Sequence, residues 1–574
     1  MTLSVNWRVA LLGMLLVGSS AWASDGRPST TAHASSHVVQ QRPGHAAIAS
    51  ASSLATEAGL EVLAKGGNAF DAAVAVAATL SVVEPQSSGI GGGFLAVLHR
   101  AKDGRNVFID ARETAPAAVD PRDYVNPDGT PNRSTALNGP LSAGIPGQPA
   151  GLVLIAKRYG RLSLQQSLAP AIRIARDGFK PDDRMLGAIA EKQDQFRRWP
   201  ASAAKYLPGG KVPVKGAVWR DPDQARTLEL IATHGNDGFY RGETASKLVA
   251  AVRAAGGNWT LADLASYQAK ERTPITVDYH GFRIITAPPP SSGGVAIAEI
   301  LNILAGYDLA KMDQVQRVHY IVEAMRRAFR DHNDYLGDPD FVKMPLDMLL
   351  SPFYAAGLRQ SILPDKATPS SMLPRAEAAE PGMHTTHFSI IDADGNMAAV
   401  TATVNTTMAS KFVAAGTGVL LNNEMDDFAL VPNQPNVYGL LGSRANAPAA
   451  GKRMLSSMSP SIVIGADRTA VIGSPGGSTI ITQVLEGILH FIDGASASEI
   501  VAHKRFHHQY LPDQVMVEQG TFDAATSEAL TRMGYQLKQR QSWGFMNVVT
   551  WDRASNKLDA ASDPRHPSGL GKVQ

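Results

Sequence analysis

The sequence predicts an α+β protein in which β-sheets stack on one another and helices cover the outer faces. Three observations lead there: a pair of helices rich in small apolar residues between residues 51 and 85, a series of strand-length runs after residue 385, and an apolar helix that follows them. The 574-residue chain is 44% apolar and 18% charged, with a formal net charge of +2 at neutral pH. It is long enough for a large core, and it lacks the basic excess that a nucleic-acid partner would require.

Taken in order, the first 23 residues stand apart: Arg8 precedes the apolar run VALLGMLLVG, and AWAS supplies the small-x-small pattern read by signal peptidase. We expect a signal peptide over 1–23, cleaved after Ala23, and export to the periplasm or beyond. An uncleaved anchor is the alternative, disfavoured because the run is shorter than the ~20 residues a bilayer needs. No other segment approaches that length, so no membrane span is expected in the mature protein. Cysteine is absent from the sequence. That excludes disulfides, thiolate-bound zinc, a thiol nucleophile and lipoprotein acylation, and leaves oxygen as the nucleophile.

After a Ser/Thr/Ala-rich leader (24–42), two helices are expected, broken at Gly66-Gly67 and restarted with Asn68 as N-cap. GGGFLAVLHR and NVFIDARETAP read as strands, with Arg112 just past the second. A mostly helical middle ends in HYIVEAMRRAFRDHNDYLGDP. The stretch 365–383 is polar, Ala/Pro/Glu-rich and aperiodic, and is expected to be flexible. Strands are then expected over 385–391, 397–407, 417–422, 460–464 and 469–473, before the helix STIITQVLEGILHFI.

The chemistry centres on the hairpin that begins TTHFS. Alternation puts Thr385, His387 and Ser389 on one face and Thr401, Thr403 and Asn405 on one face of the return strand. A three-residue turn, Ala393-Asp394-Gly395, sets Thr385 opposite Thr403; a two-residue turn would shift the register by one. A hydroxyl at a strand mouth fits a threonine that becomes an N-terminus by cleavage and uses its own α-amine as base. That amine titrates near ~7.7 to 8.0, whereas a lysine at ~10.4 stays charged. Cleavage is expected between His384 and Thr385 by an N-to-O acyl shift and hydrolysis of the resulting ester. An ordinary Thr-rich strand is the plain alternative for this motif alone.

GSPGGSTIITQVL places Gly476 and Gly477 at a helix entry, where unpaired N–H groups can hold an oxyanion. It lacks the lysine of a phosphate loop, and in SGIGGGF Phe94 occupies the position where a dinucleotide fingerprint needs Gly or Ala, so tight sheet packing is expected there. Glu424, Asp426 and Asp427, and likewise Ser456 and Ser457, read singly as capped turns. His507 and His508 in RFHHQY, with His503 just before it, lack the glutamate of a zincin and read as surface or cap histidines, so no metal is expected.

Together these stretches resemble the γ-glutamyltranspeptidases (glutathione hydrolases) of the N-terminal nucleophile hydrolase superfamily. The matching segments include GGNAFDAAVAVAATLSVVEP, RETAP, GIPGQPAGL, PPPSSGG, TTHFS, NNEMDDF, PNVYGL, KRMLSSMSPSIV, GSPGGS, RFHHQ and ASDPR, in order along nearly the whole mature chain. The resemblance implies a four-layer αββα sandwich and a precursor that cuts itself into a large subunit (24–384) and a small one (385–574), which stay together as a heterodimer. It implies Thr385 as nucleophile, Thr403 as its partner hydroxyl, and Gly476 and Gly477 as the oxyanion pair. Arg112, Ser456 and Ser457 would hold the substrate α-carboxylate; Asn405, Glu424 and Asp427 would hold its α-amine; Tyr438, in PNQPNVYGLLGS, would sit in a lid. The implied reaction is ping-pong γ-glutamyl transfer from glutathione and related donors to water, amino acids or peptides, with no cofactor. Two alternatives stand beside it: a cephalosporin (glutaryl) acylase of the same superfamily, and a binding or scaffold homologue that never matures.

Overall fold

A computed structural model describes residues 41–373 and 385–574. The chain divides into two units, Met1–Gln41 and Arg42–Gln574, and of the first only Gln41 lies among the described residues. The expected signal peptide, most of the leader and His384 fall outside them.

The two expected helices are Ser53–Ala64 and Ala69–Val83. Asn68 caps the second: its side chain accepts from the N–H of Phe70 and Asp71, and Asp71 accepts from Asn68 N in return. Every residue from Ala69 to Val83 is buried. Small side chains make that possible, because the helix is wedged between other helices and a sheet.

That sheet has seven strands, ordered Leu570–Val573, Ala47–Ser50, Thr386–Ile391, Met397–Thr403, Gly93–Arg100, Arg105–Ala111 and Lys270–Arg272, and all its pairings are antiparallel. In the central hairpin Thr386 pairs with Ala402 and Ile391 with Met397, the register expected from the three-residue turn, with Gly395 at φ 86°. A second sheet of six strands runs Lys557–Ser562, Asn547–Asp552, Arg468–Gly473, Ser461–Ile464, Phe282–Thr286 and Ile275–Tyr279.

Alternation assigns the layers. Phe388, Ile390, Ala398, Val400 and Ala402 share one core with the helices at 53–83. Ile391, Met397, Ala399, Leu95 and Val97 point the other way, into a core shared with Ile462, Val471 and Val549 of the second sheet. Helices Gly293–Leu304, Gln314–Tyr335 and Thr479–Ile492 cover the far side of that sheet. The result is helix, sheet, sheet, helix, as expected.

Two expectations need correction. The return strand ends at Thr403, not 407, because Asn405 adopts φ 77° and Met408, Ala409 and Lys411 also have positive φ, turning the chain out of the sheet. The stretch 365–373 is packed, not loose: Ala367 N donates to Met533 O at 2.8 Å and Ser370 N to Asp513 Oδ2 at 2.7 Å. Residues 374–384 lie outside the described residues. The glycine-rich SGIGGGF does serve packing, since a Cβ on Gly92 would lie 2.1 Å from the Thr403 carbonyl oxygen. Among the described residues no helix is long and apolar enough to cross a membrane.

Candidate active site

Thr385 immediately precedes its strand and is buried, and its hydroxyl donates to Thr403 Oγ1 at 3.4 Å. Thr403 Oγ1 also accepts from Asn405 N at 2.8 Å, which ties the strand end to the turn beyond it. Further along the same face, His387 Nδ1 meets Thr401 Oγ1 at 2.9 Å and Nε2 meets Ser389 Oγ at 3.1 Å. Ser389 Oγ donates onward to Asn547 O, so His387 donates from Nε2 and accepts at Nδ1. Burial holds its pKa down to about 3, leaving a neutral ring that bridges the two strands of the hairpin, while Ser389 carries the link on to Asn547 of the second sheet.

The glycine pair lies at the entry to the helix that starts at Thr479, with Gly476 at φ 141° and Gly477 at φ 58°. A Cβ on Gly476 would lie 2.5 Å from Thr479 Oγ1, so conformation and space both require glycine. Gln483 Nε2 donates to Pro475 O at 3.1 Å and fixes the turn.

Arg112 is 1% exposed and sits among three carboxylates: Asp427 at 2.5 Å, Glu424 at 2.7 Å and Glu113 at 3.5 Å. Its Nε donates to Met454 O and its Nη2 to Leu455 O, which places Ser456 and Ser457 beside it. The PPPSSGG segment anchors that strip: Ser292 N and Oγ each donate to Ser456 O at 2.8 Å. One guanidinium cannot fully compensate three buried carboxylates. Burial pushes Glu424 and Glu113 up to about 7 despite the pull of Arg112, and burial together with Glu424 raises Asp427. Burial opposes the charge on Arg112, but Glu424, Asp427 and Glu113 outweigh it and its pKa is raised. Neither oxygen of Glu424 has a well-aligned hydrogen-bond donor, although it lines the cavity.

The loop 432–443 closes over this set. Tyr438 OH donates to Asn405 Oδ1 at 2.6 Å and Asn405 O at 2.8 Å, while its backbone carbonyl accepts from Ser478 Oγ and Gln509 Nε2. Gln509 is held in turn by His507, which also meets Thr482 Oγ1 at 2.8 Å. The RFHHQ histidines are therefore not surface caps. His507 and His508 are buried and held neutral by burial, with pKa values down to about 3 and about 4, and the half-buried His503 packs against His490 with the rings tilted by 49°.

Thr385, Thr403, Arg112, Asn405, Glu424, Asp427, Tyr438, Ser456, Ser457 and Gly477 all line one cavity, and Gly476 lines its neighbour. The free space of about 40 Å³ holds only a few waters. Sequence reasoning missed Glu113, which nothing distinguished from a helper of its neighbour Arg112, and His332, which lines the cavity with Nε2 unpartnered. His332 lies on the helix Gln314–Tyr335, and its helical periodicity alone marked it as core.

The sequence matches the gamma-glutamyltranspeptidase family over residues 55–572. It is 41% identical to a glutathione hydrolase proenzyme of Pseudomonas sp. (strain A14), covering 93% of this chain and 96% of that protein. It is 40% identical to the glutathione hydrolase proenzyme of Escherichia coli (strain K12), covering 93% and 92%. Among solved structures, a cephalosporin acylase from Bacillus halodurans superposes with a TM-score of 0.80 at 28% identity over 96% of this chain and 99% of that one. The Helicobacter pylori gamma-glutamyltranspeptidase gives a TM-score of 0.54 at 38% identity over 56% of this chain and 92% of that one. With the match extending over most of its length, the chain belongs to the gamma-glutamyltranspeptidase family.

Proposed function

We propose that this protein is a self-cleaving γ-glutamyltransferase and glutathione hydrolase that is exported under a signal peptide (1–23) and works as a heterodimer of residues 24–384 and 385–574. The observation that carries this reading is the placement of the Thr385 hydroxyl, 3.4 Å from Thr403, in one cavity with a buried cation and buried carboxylates.

In the precursor, Thr385 Oγ attacks the carbonyl carbon of His384; the peptide C–N bond breaks as the ester forms, freeing the Thr385 α-amine, and water then hydrolyses the ester, releasing the His384 carboxylate and restoring the Thr385 hydroxyl. That amine takes the hydroxyl proton when Oγ attacks the γ-carbonyl of a donor. The N–H groups of Gly476 and Gly477 hold the oxyanion, and the proton passes to the leaving amine. Water or an amine completes the cycle by the reverse path.

A γ-glutamyl group ends in a zwitterion. Arg112, with Ser456 and Ser457, receives its carboxylate; Glu424, Asp427 and Asn405 receive its ammonium. The existing ion pairs are exchanged for two new ones, so neither buried charge is left alone. In this reading the 432–443 loop moves on binding, with Tyr438 as its latch, which the free space of only a few waters supports. Tyr438→Phe, which loses only the hydrogen bonds to Asn405, is expected to increase the share of γ-glutamyl ester passed to water over that passed to glycylglycine, by about two- to tenfold for a bond worth ~0.5 to 1.5 kcal/mol. An unchanged ratio would remove Tyr438 from the lid.

Protonation gives a further expectation. Glu424, raised to about 7, pairs with an ammonium only when ionised, so donor capture is present above that value and lost as pH falls through it. The Thr385 amine adds a second group that must be deprotonated. kcat/KM is therefore expected to rise between pH 6 and 8, and in Glu424→Gln the acid limb of a log plot becomes shallower by one unit of slope. An identical limb in both would show that Glu424 does not control capture.

Incubation of the purified protein with glutathione, scored for glutamate and cysteinylglycine, tests the activity. The 0.80 TM-score to a cephalosporin acylase supports a second reading, glutaryl transfer. Glutaryl lacks the amine that Glu424 and Asp427 await. Turnover of glutaryl anilide faster than γ-glutamyl anilide would favour that reading, and an inactive uncut chain would favour a scaffold.

A further inference from the structure

A second cavity, of about 250 Å³, lies across the 476–477 turn from Thr385. Gly476 and Thr407 line it, while Gly477 and Asn405 line the first, so the 476–477 turn and the turn that follows the strand ending at Thr403 separate the two. Both cavities therefore border the glycine pair at which the acyl carbonyl of the proposed reaction is held.

Its polar lining is unusual. Gln86 is 2% exposed, yet neither its amide nitrogen nor its amide oxygen has a hydrogen-bond partner. Its backbone is fixed, because Gln86 O accepts from Met408 N at 3.3 Å. A buried polar atom left unpaired costs about 1–3 kcal/mol, a cost that a ligand with a complementary amide would remove. Arg184 faces the same space. Its Nη1 bonds Glu84 Oε1 at 2.5 Å and His566 Nε2 at 2.9 Å, and its guanidinium stacks on Phe545 at 4.5 Å. Held by one corner, the fork has Nε and Nη2 left to take a carboxylate. Glu191, the one anion among the described residues of the lining, is exposed at the rim, where solvent screens it.

We propose that this cavity is the amine-side subsite of the reaction, binding an amino acid or short peptide with a free carboxylate: Gln86 pairs its amide, Arg184 its carboxylate and Phe545 its apolar side chain. The assignment rests on the acyl-transfer reading above. In the second half-reaction the bound amine nitrogen attacks the γ-glutamyl ester; the new amide C–N bond forms, the C–O bond to Thr385 breaks, and the amine proton passes through the Thr385 α-amine to its oxygen. The leaving dipeptide of a donor occupies the same place in the first half-reaction.

Two donors with the same acyl group test it: glutathione, whose leaving group carries an amide and a carboxylate, and γ-glutamyl-p-nitroanilide, whose leaving group carries neither. In Gln86→Leu the ratio of kcat/KM for glutathione over anilide is expected to fall at least tenfold and the KM for glycylglycine to rise by a similar factor. Its thermal midpoint should be no lower, because two unpaired atoms are removed. Arg184→Lys, which keeps the charge beside Glu84, is expected to shift the same ratio in the same direction and covers the case in which the first variant fails to mature. An unchanged donor ratio in the matured variants overturns the subsite. No turnover of either donor by the unsubstituted protein overturns the acyl-transfer reading itself, and the subsite with it.

Discussion

Thr385→Ala is expected to give a single uncut chain with no turnover of any γ-glutamyl donor. The loss is complete because one oxygen serves twice. It attacks the preceding carbonyl in maturation and the donor carbonyl in catalysis, and without the first event the α-amine needed as base for the second never exists. The fold should survive: the residue precedes its strand, and the bond to Thr403 that the substitution removes is long, at 3.4 Å. Denaturing electrophoresis and a melting curve separate the outcomes. A folded Thr385→Ala chain that still splits in two would transfer the nucleophile's role elsewhere.

Arg112→Ala is expected to have the second largest effect, on two properties at once. Donor capture loses a partner of a desolvated charge pair, ~2 to 5 kcal/mol, which is about 30-fold to several thousand-fold in kcat/KM. The role that the family resemblance implies for Arg112, holding the substrate α-carboxylate, accounts for the first loss. The structure adds stability, because Glu113, Glu424 and Asp427 would be left buried without their cation. Stranding a buried charge costs about 3–5 kcal/mol. The sign with pH follows from the raised pKa values. Protonated carboxylates are tolerated in the folded state, so the stability of the variant is retained at low pH and lost as pH rises; without the pull of Arg112 the loss extends above the value of about 7 that Glu424 and Glu113 have in the parent. The gap in melting temperature between variant and parent is expected to widen between pH 6 and 9. A gap that is constant or narrows would mean that the carboxylates are ionised throughout.

Much of this was legible in the chain because local rules and global packing agree. Asn68 announced its helix through a capping box, and Gly395 set the hairpin register that brings Thr385 to Thr403. The site residues were legible as motifs, but their mutual contacts were not. Nothing in the spacing of Arg112 and Asp427, 315 positions apart, says that they meet at 2.5 Å. The misreadings have a common cause. His507 looks polar in sequence, yet a neutral imidazole with both nitrogens bonded, to Thr482 and Gln509, is well suited to a core. Asn405 looked like a strand residue by alternation, but its left-handed backbone ends the strand and places its side chain under Tyr438. Gln86 gave no local signal, because an unpaired buried amide is visible only once the surrounding chain is folded.

The central claim, that a scission inside the chain creates the catalytic amine, is tested most directly by N-terminal sequencing of the purified protein together with its intact mass. The account predicts two polypeptides in equal amount, the smaller beginning Thr-Thr-His-Phe at Thr385. An active preparation that contains only the intact chain, or one cut at another bond, would contradict it.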